Sequence, residues 1–79
     1  MPISEFYRLG EKAGRVSVGK NLEGIRGSPD TADLAKLAGR CLLHLQNEAD
    51  RETSWYVRNP EFSTGFFDGF MNRAEDFKT

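Results

Sequence analysis

Several absences narrow this 79-residue chain before any motif is read. It has one cysteine, which excludes an internal disulfide framework and a cysteine-rich zinc site. It has one histidine, so no His/Cys ligand set for a structural metal can be assembled. No apolar run approaches the ~20 residues that span a bilayer, and no basic-then-apolar leader opens the chain. Neither sign of charge dominates: 11 basic residues face 12 acidic ones, for a net charge of −1. That balance disfavours a wholly basic nucleic-acid binder and an acidic tail. What remains is globular composition, 38% hydrophobic and 29% charged, expected as one helical domain over residues 1–79 in the cytoplasm.

Helical signals fall in three segments. The first runs from about Ser4 to Ser17, with Ser4 as cap and Glu5 in the first turn. Phe6, Leu9, Ala13 and Val16 recur at three- and four-residue steps and form the expected core face. Arg8, Lys12 and Arg15 share the opposite face. The pattern loses phase after Ser17, where Val18 and Leu22 point away from the stripe. Gly19, Gly24 and Gly27 then mark a loop or one short helical turn.

The second helix has two start signals: Ser28 as cap with Pro29 in the first helical position, and Asp30 as cap with Asp33 behind it. Leu34, Leu37, Ala38, Cys41, Leu42 and Leu45 give it a broad apolar arc reaching to about Asp50. Residues 51–58 read as a connector pinned by Trp55. Asn59-Pro60-Glu61 repeats the start signature, and a third helix should reach about Phe77. On it, Phe62, Phe66, Phe70 and Phe77 span roughly 80° at ~100° per residue, with Phe67, Met71 and Ala74 widening the arc. The fold class is therefore all-α: a small three-helix bundle, with room for a fourth short helix in either connector.

Glycine is placed oddly for a helical chain. Gly10 and Gly14 lie on the first helix, Gly65 and Gly69 on the third, and each costs ~1 kcal/mol relative to alanine. Glycines four apart share a face, so close helix approach is the expected reason, by loose analogy with small-xxx-small pairs in membranes. Left-handed turns or local flexibility are the alternative. Ala35 and Gly39 form a third small pair.

No catalytic pattern stands out. Cys41 and His44 are neighbours on a helix surface, yet Cys41 sits within the apolar arc, where a thiol packs as a small hydrophobe. Glu48, Asp50 and Glu52, and again Glu75 and Asp76, lie near helix ends in polar surroundings. The glycines match no phosphate-binding loop or dinucleotide fingerprint. The chain is read as non-enzymatic, without cofactor or metal.

The aromatic surplus points to interaction instead. Five of six phenylalanines fall between Phe62 and Phe77, more than so small a core is expected to absorb. Trp55, Tyr56, Phe67, Met71 and Arg73 are the expected partner-binding residues, with Leu43 as a dimer contact, since aromatics and arginine dominate binding hot spots. The partner would be a larger macromolecule or a second copy. Size and the lack of catalytic motifs suit a small accessory protein, such as a phage or mobile-element inhibitor of a host complex. The alternative is a nucleic-acid or ribosome-associated binder using Arg8, Lys12, Arg15 and Lys20. Residues 1–27 hold five basic against three acidic residues, while 28–79 hold six against nine.

Overall fold

A computed structural model of the chain describes residues 4–27 and 30–77. They form α1 (Glu5–Lys20), α2 (Leu22–Arg26), α3 (Thr31–Glu48), α4 (Ser54–Val57) and α5 (Pro60–Ala74), closed by a 3-10 turn over Glu75–Phe77. The all-α fold is as expected, with both connectors holding a short helix.

Side-chain caps start the three long helices. Ser4 Oγ accepts from the Tyr7 amide at 3.1 Å, Asp30 Oδ1 from Asp33 at 2.8 Å, and Asn59 Oδ1 from Glu61 at 2.8 Å. Each satisfies an amide that a helix N-terminus otherwise leaves without a partner. The expected start at Ser28 and Pro29 lies outside the described residues. Helix α1 runs three residues past Ser17, to Lys20, and ends where Asn21 turns back and its side-chain amide donates to the Ser17 carbonyl at 2.7 Å.

The closest helix pair is α1 with α5. A β-carbon added at Gly10 would run into the Phe62 carbonyl oxygen and stand 2.9 Å from the Phe66 nitrogen. One at Gly14 would meet the Phe66 carbonyl oxygen and the Phe70 nitrogen, the latter at 2.7 Å. In return, Gly65 faces the Tyr7 carbonyl and Gly69 the Glu11 carbonyl. Numbers rise together on both sides, so the two helices run parallel. Adding 55 to an α1 position gives its α5 counterpart: Tyr7 to Phe62, Gly10 to Gly65, Glu11 to Phe66, Gly14 to Gly69. The pair is thus a two-fold-like zipper in which each glycine sets its Cα hydrogens against a carbonyl of the other helix. No described glycine has a positive φ, so close approach, and not left-handed turning, is what these residues supply. The Ala35–Gly39 pair does not join in. A β-carbon at Gly39 would find only the tip of the Phe67 ring, at 3.8 Å.

This zipper turns α1 about 120° from its expected setting. Its buried residues are Gly10, Gly14 and Val18, whereas Leu9 and Val16 are 45% and 51% exposed. Val18 belongs to the core and does not point away from it. The physical reason is distance: backbones in contact leave no room between them for large side chains, so the larger stripe is left on the flank. Phe6 and Ala13 are half-buried against the core from that flank.

Helix α3 carries the chain back from the end of α1 toward the start of α5. Its Leu34, Leu37, Ala38 and Leu42 close over Phe62, Phe66 and Phe70, joined by Val18, Ile25, Val57 and Ala74. Phe66 and Phe70 stack at 6.1 Å. Tyr7 ties the zipper's rim by donating its hydroxyl to Asp68 Oδ2 at 2.5 Å, which raises the phenol pKa, chiefly because the carboxylate holds the proton. No helix among the described residues is long and apolar enough to cross a membrane.

Candidate interaction surface

Rings lead from the core to the surface. Tyr56 lies 5.9 Å from buried Phe62, Trp55 sits edge-on to Tyr56 at 5.5 Å, and Phe6 of α1 meets Trp55 edge-on at 5.5 Å. Edge-to-face pairs fix ring orientation and stabilise by about 0.5–1.5 kcal/mol each. Trp55 is nonetheless 64% exposed, the most open large apolar residue described. It is held in position without being covered.

The perch for Trp55 is a charge-assisted turn. Asp50 Oδ1 accepts from the Glu52 amide at 3.0 Å, the Thr53 amide at 3.0 Å and the Thr53 hydroxyl at 3.1 Å, and its carbonyl accepts from Ser54 at 2.8 Å. From the far side, Gln46 donates to the Val57 carbonyl at 3.2 Å, joining α4 to α3. The bonds from Thr53 hold the Asp50 carboxyl below its ordinary range. A depressed carboxylate pKa means the turn is supported at neutral pH and loses that support as pH falls below about 4. Near-ultraviolet circular dichroism of Trp55 is therefore expected to weaken on acidification through that range. Asp50→Asn, which cannot ionise, should show a weaker signal already at pH 7 and little further change.

From Phe6 the apolar surface continues along the outside of α1. Leu9, Ala13 and Val16 follow at helical spacing, a strip roughly 15 Å long at 1.5 Å per residue. This flank was expected to be core. Its exposure could have been foreseen from one signal: Gly10, Gly14 and Val18 are also in phase, and a helix cannot bury both faces equally.

The expected partner-binding residues divide. Trp55 and Leu43 are exposed, Leu43 at 57%. Tyr56, Phe67 and Met71 are half-buried and packed against the core. Phe67 reaches α3 at Gly39, one turn from Leu43, on a flank with no ring contact to Trp55. Arg73 is exposed but engaged within the chain: it donates to Asp76 at 2.7 Å, and its guanidinium lies 5.1 Å from the centre of the Phe77 ring. The six residues do not make one surface. Of the five phenylalanines from Phe62 to Phe77, Phe62, Phe66 and Phe70 are shut away, while Phe67 and Phe77 are half-buried against the core.

The other candidates fall as follows. Arg8, Lys12, Arg15 and Lys20 are all exposed, and Arg15 pairs with Glu11 at 3.2 Å. Cys41 is half-buried, and burial raises its thiol pKa, which keeps it in the unreactive form. His44 is exposed and lies 3.3 Å from Glu48. An open groove of about 420 Å³ between α1 and α3 is lined by Ser17, Lys20, Arg40, Cys41, His44 and Glu48 among others. No group of three His, Cys, Asp or Glu among the described residues is placed to hold a metal.

Comparison of the chain with protein-family models, curated proteins and solved structures finds no match.

Proposed function

We propose that this chain is a non-enzymatic protein-interaction module whose contact surface is the outer flank of α1 together with Trp55. One observation carries the reading: a tryptophan held by two edge-on rings, one of them Phe6 of α1, stays 64% exposed, and Leu9 and Val16 further along that helix are both half open to solvent. Scattered single apolar residues need no explanation, but a contiguous strip ending on a fixed tryptophan has the make-up of a binding hot spot. The tryptophan is already oriented by its two ring contacts, which reduces the ordering that docking must impose.

The nucleic-acid reading draws on the same helix. Arg8, Lys12 and Lys20 are open, but Arg15 is already paired, and aliphatic side chains stand among the cations. Such interleaving fits a protein surface better than a phosphate backbone.

Immobilised wild-type chain and the double variant Leu9→Ser, Trp55→Ala should be compared in capture from the native host, with Arg73→Ala as control. Truncating the tryptophan should cost about 2 kcal/mol of binding, some thirtyfold in Kd. The Arg73 variant should retain the same partner. Equal capture by all three chains would remove this surface from consideration.

A further inference from the structure

Positive charge outweighs negative along the strip on α1. Lys12 lies one turn beyond Leu9 and one turn before Val16, and Lys20 lies one turn beyond Val16. Arg8 stands one turn before Lys12. All three are exposed, and the ion pairs of the described residues engage none of them. Glu5, at the strip's start, is the one exposed carboxylate of this helix; Glu11 is half-buried and pairs with Arg15. Elsewhere the chain is acidic, with nine acidic against six basic residues over 28–79. Excess positive charge is thus gathered where the apolar surface is open.

We propose that this face receives an acidic amphipathic segment of another protein, with aliphatic or aromatic side chains one or two turns apart, flanked by Asp or Glu. The proposal rests on the protein-interaction reading above and adds the chemistry of the partner. Carboxylates on the incoming segment would meet Arg8, Lys12 and Lys20 while its apolar residues cover Leu9, Val16 and Trp55, the arrangement of a helix laid against an apolar strip. A second copy fits less well. An antiparallel two-fold pairing that sets Leu9 against Val16 of the copy has its axis beside Lys12 and brings that lysine against its own counterpart. A parallel pairing does the same. An anionic membrane fits less well too: interfacial helices bury a broad apolar face, and α1 offers two aliphatic side chains with its opposite side locked onto α5.

The test is selection from a displayed library of short helix-forming peptides whose exposed positions are randomised among Leu, Phe, Gln, Lys and Glu, panned against the intact chain. Enriched peptides are expected to gain Glu and lose Lys relative to the unselected library. An enriched peptide should bind about tenfold more weakly to the chain carrying Lys12→Gln and Lys20→Gln. These substitutions lie on the surface, and an unchanged melting curve shows that the fold persists. Enrichment of neutral or basic peptides would overturn the charge assignment while leaving the protein-interaction reading intact. No enrichment over a Leu9→Ser, Trp55→Ala chain would overturn both. A dimer in sizing chromatography across concentration would give the face to another occupant and defeat the proposal. So would stronger retention by anionic vesicles or single-stranded RNA than by any selected peptide.

Discussion

Gly65→Ala is expected to lower the unfolding free energy by roughly 3 kcal/mol, although alanine is the better helix former by about 1 kcal/mol. The added methyl group would enter the Tyr7 carbonyl and lie 3.0 Å from the Glu11 nitrogen, and both are backbone atoms of α1. A flexible side chain could swing aside; a helix backbone cannot. The two helices must separate along their length, which loosens Phe62, Phe66 and Phe70 at once. A chain of this size has roughly 4–12 kcal/mol of stability in all, so Gly65→Ala with Gly69→Ala should remove half of it or more. Gly19 is the internal control. It is exposed on the same helix as Gly10, and a β-carbon there meets nothing within 4 Å. Gly19→Ala should therefore stabilise by up to about 1 kcal/mol. Urea unfolding of the variants, followed by far-ultraviolet circular dichroism, gives both signs in one experiment.

Phe66→Ala should cost about 3–5 kcal/mol. The ring is fully buried, stacks on Phe70 and stands edge-on to Phe67 at 6.5 Å. Its backbone also sits under Gly10 and Gly14, so the surrounding helices are already in contact and cannot close further on the cavity. Phe67→Ala offers a contrast from the next position. That ring is half-buried and its tip rests on Gly39, so its removal should cost much less. Equal losses in the two melts would mean that the core is not centred where α1 and α5 meet.

Local signals carried most of the architecture. Ser4, Asp30 and Asn59 each bond the amide their cap position implies, and Pro60 opens α5 as its fixed φ predicts. The glycine pairs are legible as contacts because two glycines four apart share one helix face, and both α1 and α5 carry such a pair. What periodicity could not decide was which of two stripes on α1 faces inward. Leu9 and Val16 carry more apolar surface than Gly10 and Gly14, and on hydrophobicity alone they belong inside. Close backbone approach outweighs them only because α5 holds matching glycines at the same spacing, 55 residues away, and that pairing is a tertiary fact. The candidate site shifted for the same reason. Trp55 is legible as a residue hard to bury in a connector; Phe6, which it touches, and Leu9 are not, since periodicity places both in the core. Phe67, Met71 and Arg73 looked available from the width of the α5 arc, but α3 and the Phe77 turn take them up.

The inward setting of the first helix is tested most directly by comparing the thermal melts of Gly14→Ala and Val16→Lys, two residues apart on α1. A conventional amphipathic helix would tolerate the small change and suffer from the large one. The glycine zipper predicts the reverse: Gly14→Ala loses about 3 kcal/mol, while Val16→Lys stays within about 0.5 kcal/mol of the parent. A destabilised Val16→Lys beside an unharmed Gly14→Ala would contradict both the fold and the surface proposed to bind.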